Sequence, residues 1–111
     1  MTSRIPRMPL DNLGHPVPAL RARPSSAKQG TAGVASSVIG PFSAGTQVIE
    51  IYAASAIRYE TGVAGVEASA TSHFLDAGER LVRSLGDGPD THLAIIRVGT
   101  EDVPVEVSEM E

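Results

Sequence analysis

The stretch closest to a chemical motif in this 111-residue chain is Gly40-Pro41-Phe42-Ser43-Ala44-Gly45-Thr46, which has the glycine spacing of a phosphate loop. Such a loop cradles phosphates with backbone N–H groups and needs a lysine just past its second glycine to reach the β- and γ-phosphates. Thr46-Gln47 stands there instead, so the stretch is expected to be a turn before a strand. Ser25-Ser26-Ala27-Lys28 has the spacing of a Ser-x-x-Lys nucleophile but lacks the partner motifs, and reads as a polar linker. The histidines are His15, His73 and His92, and none has a second histidine or carboxylate at the short spacings of a metal site, apart from Asp76 three residues after His73. Asp87 and Asp90 flank Gly88-Pro89, which is turn chemistry without the EF-hand spacing. Ser72, His73 and Asp76 can be assembled into a triad on paper only, since any sequence of this composition offers one. The expectation is no enzyme, no cofactor and no metal.

Composition narrows the classes further. There is no cysteine, which removes disulfides, thiol catalysis and Cys-ligated zinc. Nine Lys+Arg against thirteen Asp+Glu leave a net charge of −4, so nucleic acid is disfavoured as a partner. No apolar run is long enough for a membrane span, and Met1 to Leu10 shows no apolar core of a secretory signal. The four aromatics are Phe42, Tyr52, Tyr59 and Phe74, too few for an evident carbohydrate platform. The acidic residues near the end, Glu101, Asp102, Glu106, Glu109 and Glu111, read most simply as a solvated strand and tail.

The charge is uneven. Residues 1–30 hold five cations (Arg4, Arg7, Arg21, Arg23, Lys28) against Asp11, a balance of +4; residues 31–111 hold four arginines against twelve carboxylates, a balance of −8. Pro6, Pro9, Pro16, Pro18 and Pro24 crowd the same beginning. Proline fixes φ and removes a backbone donor, so this density forbids a regular helix or a central strand. The apolar residues there follow neither period. Residues 1–33 are therefore expected to form an extended basic arm that takes shape only against another subunit, and residues 34–111 the folded domain. Its expected contacts are Arg4, Arg7, Arg21 and Arg23 as charge partners, with Ile5, Met8, Leu10 and Leu13 as apolar anchors. Deleting residues 1–30 should then leave a folded body that has lost its partner.

The body reads as short strands separated by turns. Val34 to Ile39 precedes Gly40-Pro41. Thr46 to Ala53 places Gln47, Ile49 and Ile51 on one face and Val48, Glu50 and Tyr52 on the other. Ala56 to Glu60 sets Ile57 and Tyr59 against Arg58 and Glu60. His92 to Val98 is nearly all apolar and suits a central, buried strand. Val103, Val105 and Val107 share a face opposite Pro104 and Glu106, and the proline suggests an edge strand. Asp76 to Gly86 fits either a short helix with a capping box or a strand; its β surroundings favour the strand. Six or seven such strands make a small antiparallel β-sandwich. A body of about 80 residues buries a modest share of its surface, and oligomerisation or docking is a common remedy.

Several of these segments together resemble a loose group of small bacteriophage virion proteins. They are Thr46 to Ala53, Ile57-Arg58-Tyr59, Val66 to Thr71, His73 to Glu79, Thr91 to Thr100 and the final valine strand, about 60 of the 111 residues. The resemblance implies a β-sandwich that decorates or cements a capsid, often as a trimer, or that builds a neck, tail or fibre base. It implies a homo-oligomer in the virion, with the major capsid protein or other virion subunits as partners. It carries no active-site residues, and it does not extend to the Pro/Arg-rich arm.

Overall fold

The computed structural model describes residues 21–86 and 89–110. Its order begins with a period-two pattern at β8 (Val103–Met110), where Val103, Val105, Val107 and Glu109 point inward and are buried while Pro104 and Glu106 are exposed. The same alternation runs through β3 (Val48–Ala53), which buries Ile49, Ile51 and Ala53, and β4 (Ile57–Gly62), which buries Ile57 and Tyr59. β7 (His92–Arg97) buries Leu93, Ala94 and Ile95 in succession, as the apolar run led one to expect of a strand covered on both faces. Completing the set are β1 (Lys28–Ala32), β2 (Ser37–Ile39), β5 (His73–Leu75) and β6 (Arg80–Ser84).

The eight strands form two antiparallel four-stranded sheets, β1-β8-β3-β6 and β2-β7-β4-β5. All-β architecture is thus what the strand pattern predicted, and residues 80–84 are strand rather than helix. The core lies between the sheets. Ile49, Ile51, Val105 and Val107 from one face meet Ile57, Leu75, Leu93 and Ile95 from the other, and Phe42 and Leu85 join them. Each fully buried Ile or Leu contributes about 1.5–3 kcal/mol of transfer free energy. The 63–72 connection lies over the outer surface of the second sheet: the Ala68 N–H donates to Ser36 Oγ (2.8 Å) and the Arg58 guanidinium to Ser72 O (2.9 Å).

Two expectations need correction. The folded domain does not begin at residue 34. β1 pairs with β8 from Lys28↔Val107 to Ala32↔Val103, and Ala22 forms a bridge with Met110, so the chain joins its own sandwich well inside the supposed arm. The inward positions of β1 are Lys28, Gly30 and Ala32, which carry too little apolar bulk to announce a strand. At Gly30 the lack of a side chain has a steric cause: a Cβ there would lie 2.7 Å from Ile39 Cγ1.

The second correction concerns β8, which is central, between β1 and β3, despite Pro104. Glu109 turns its backbone groups toward the N-terminal side, accepting from the Arg23 N–H (2.7 Å) and donating to Ser26 Oγ (3.2 Å). Alternation then turns Ser108, Glu106 and Pro104 toward β3. The β3 ladder ends at Ala53↔Val105, one residue short of Pro104. The missing N–H therefore removes no ladder bond, and the proline is tolerated in a central strand.

Candidate functional site

The alternation of β8 carries Glu109 inward beside the valines, where its residue is fully buried. Burial disfavours a bare carboxylate, so it must be met by donors. Three segments supply them. From the Gly40–Thr46 loop, the Ser43 N–H (2.8 Å) and the Thr46 hydroxyl donate to Oε1, and the Ser43 hydroxyl donates to Oε2 (3.3 Å). From β1, Lys28 Nζ lies 3.8 Å from Oε2. From the turn ahead of β1, Ser26 holds the Glu109 main chain: its Oγ accepts the Glu109 N–H (3.2 Å) and donates to Arg23 O (2.7 Å).

Burial pushes the Glu109 carboxyl up. The Thr46 hydroxyl, the Ser43 N–H and hydroxyl, and the Lys28 ammonium together outweigh it, and the pKa is lowered from the ordinary value of 4.5. A carboxylate held ionised, with its lone pairs occupied, serves as a fastener at neutral pH. The phosphate-like loop thus does bind an anion with a backbone N–H, but the anion is a side chain of its own chain. Loop shape depends on Gly40 at φ +139°, where a Cβ would stand 2.8 Å from Thr91 O.

Sequence reasoning placed Glu109 in a solvated tail, and the structure corrects this. The signal that could have found it was parity: Glu109 continues the series Val103, Val105, Val107. Of the expected partner-binding residues, Arg21 and Arg23 are described. Arg21 is exposed where the chain meets the sandwich; Arg23 is half-buried, its backbone tied to Glu109. Arg4, Ile5, Arg7, Met8, Leu10 and Leu13 lie outside the described residues.

The remaining motifs do not converge. Lys28 turns inward to Glu109 while Ser25 sits exposed in a turn at φ 59°. Ser72 Oγ accepts the Ser69 N–H, and Asp76 Oδ1 accepts the Ala77 N–H, so neither is presented to His73. His73 instead packs against Tyr59, the rings tilted by 38° with centres 5.4 Å apart, and His92 Nδ1 lies 2.8 Å from Thr91 Oγ1. Asp90 accepts from the Thr61 hydroxyl (3.0 Å); Asp87 and His15 lie outside the described residues. Among the described residues no three His, Asp or Glu side chains gather as a metal site. Phe42 and Tyr59 are buried, Tyr52 lies beneath the Arg80 guanidinium (4.8 Å), and Phe74 is 50% exposed with Arg58 5.5 Å from its centroid. Comparison with known proteins returns no matching family model, no matching curated protein and no matching solved structure.

Proposed function

We propose that the chain is a structural subunit of a bacteriophage virion, a capsid decoration (cement) protein whose sandwich stands on the shell while residues 1–20 grip neighbouring subunits such as the major capsid protein. The reading rests on the resemblance of the strand segments, and one structural observation supports it above the others. The segment from Ala22 to Ala32 is fastened to β8 through Glu109, Ser26 and Lys28. Whatever residues 1–20 hold is then mechanically coupled to a rigid body. A protein that binds only the assembled shell stabilises it by mass action, by about 2.7 kcal/mol per site at a hundredfold excess over Kd.

The fastening changes the chemistry expected of the arm. Lys28 is committed to Glu109, and residues 1–20 carry Arg4 and Arg7 against Asp11, a balance of only +1. The apolar residues Ile5, Met8, Leu10 and Leu13 therefore bear more of the proposed contact than the charge asymmetry suggested. Arg21 adds a cation at the exit point.

The test is co-sedimentation with undecorated cognate shells. The full chain should bind in hundreds of copies per particle, and a chain lacking residues 1–20 should not. Equal binding by the shortened chain would refute the arm's role. A saturation of about a dozen copies would assign the protein to a neck or tail ring instead.

A further inference from the structure

The four edges of the two sheets are not equally guarded. β2 and β5 are three residues long, too short to template much pairing. On β1, Thr31 O already accepts a hydrogen bond from the Ser37 hydroxyl (2.6 Å). β6 differs. It has five residues, no proline, and no partner beyond β3 among the described residues.

The direction of its backbone groups follows from one bond. The Leu85 N–H donates to Gln47 O (2.6 Å), on the β3 side. Alternation then turns Arg83 and Leu81 toward β3 and points the N–H and C=O of Arg80, Val82 and Ser84 out of the edge. Val82 also has its side chain 45% exposed, on the outer face of the sheet.

We propose that β6 is a self-pairing edge: two copies of this chain join antiparallel along Arg80–Ser84, centred on Val82, into one continuous eight-stranded sheet. This register pairs all five residues of the strand. Val82 meets the partner copy's Val82, Arg80 and Ser84 meet each other reciprocally, and Leu81 lies opposite Arg83. The outward groups of Arg80, Val82 and Ser84 make about six hydrogen bonds. No two arginines stand opposite, whereas a register centred on Arg83 would oppose Arg83 to itself, which is destabilising. The arginines thus weigh against the Arg83-centred alternative while leaving the Val82-centred register free of like-charge pairs. The result is a two-fold dimer, isologous by construction, in place of the trimer that the virion resemblance implies.

The experiment is light scattering on the full chain over a series from about 1 μM to about 1 mM, a span chosen for a modest edge contact. Wild type should approach twice 11.5 kDa as concentration rises. Val82→Pro removes an N–H that points away from β3, so it should stay folded by circular dichroism and remain at 11.5 kDa throughout. Val82→Lys, which opposes two like charges at the centre, should weaken the dimer at least tenfold, and it keeps the test intact should the proline variant unfold. A trimeric wild type, a wild type monomeric at every concentration, or a Val82→Lys variant that dimerises as well as wild type would each overturn the proposal. The monomeric result would leave the edge to a strand of another protein. Shell binding through residues 1–20 is a separate measurement and can succeed or fail independently.

Discussion

Glu109 joins three stretches of chain that are remote in sequence, so its replacement should be felt in all of them. Glu109→Gln keeps the shape but removes the charge that Ser43, Thr46 and Lys28 are arranged around. Hydrogen bonds to a charged group contribute about 1.5–3 kcal/mol, and a loss in that range is expected in urea unfolding. The pH dependence has a fixed sign. The folded carboxyl has a lowered pKa, so its stabilisation is fully present above the unfolded value near 4.5 and is lost as pH falls through the folded value. Wild type should therefore lose stability on acidification below about 4.5, and Glu109→Gln should show a shallower loss over the same window. Equal slopes for the two proteins would remove Glu109 from the account. This residue was legible in principle, since it shares the parity of three valines, but charge near a chain end argued for solvent and outweighed position.

At the scale of elements, β1 decides what counts as body and what counts as arm. Removing residues 1–20 leaves the β1–β8 pairing and the partners of Glu109 in place, and the truncated chain should still unfold cooperatively as a folded domain. Removing residues 1–30 takes Ser26, Lys28 and most of β1 from the side of β8, and a large drop in unfolding midpoint is expected. Gly30→Ala probes the same strand by packing alone. The added Cβ meets Ile39 Cγ1 at 2.7 Å, and overpacking of this kind costs about 1–3 kcal/mol, measurable by thermal melting. β3, β4 and β7 were readable because their inward positions are large and apolar and recur every second residue. β1 was not, because the close approach of Ile39 requires glycine at position 30 and its other inward residues are Lys28 and Ala32. The arm contacts expected of Arg4 through Leu13 were a reading of composition, and composition says nothing about where a fold admits the chain.

At the scale of the whole molecule, most cations of the described residues are tied into the sandwich. Residues 21–110 hold seven Lys+Arg, and several are already engaged: Arg80 with Glu50 (3.2 Å), Arg97 with Asp102 (2.8 Å), Lys28 with Glu109 and Arg83 with the Tyr59 hydroxyl (3.0 Å). The exposed pairs among these contribute little each, and the sandwich owes its stability chiefly to the buried apolar faces. Sequence pattern conveyed the fold class and most strand faces, because period two is a local property. Strand order is not local, which is why Pro104 suggested an edge and the structure gave a centre.

That central position of β8 governs how the molecule comes together in time. Of the eight described strands β8 is made after all the others, β1 and β3 both wait on it, and its partner β1 lies about eighty residues upstream at Lys28↔Val107. Non-local closure of this kind is slow, and sheets of high contact order fold in milliseconds to seconds. Until Val103–Met110 is made, β3 can pair with β6 but β1 has no strand of this sheet to join, so the sheet is completed only when β8 enters between β1 and β3.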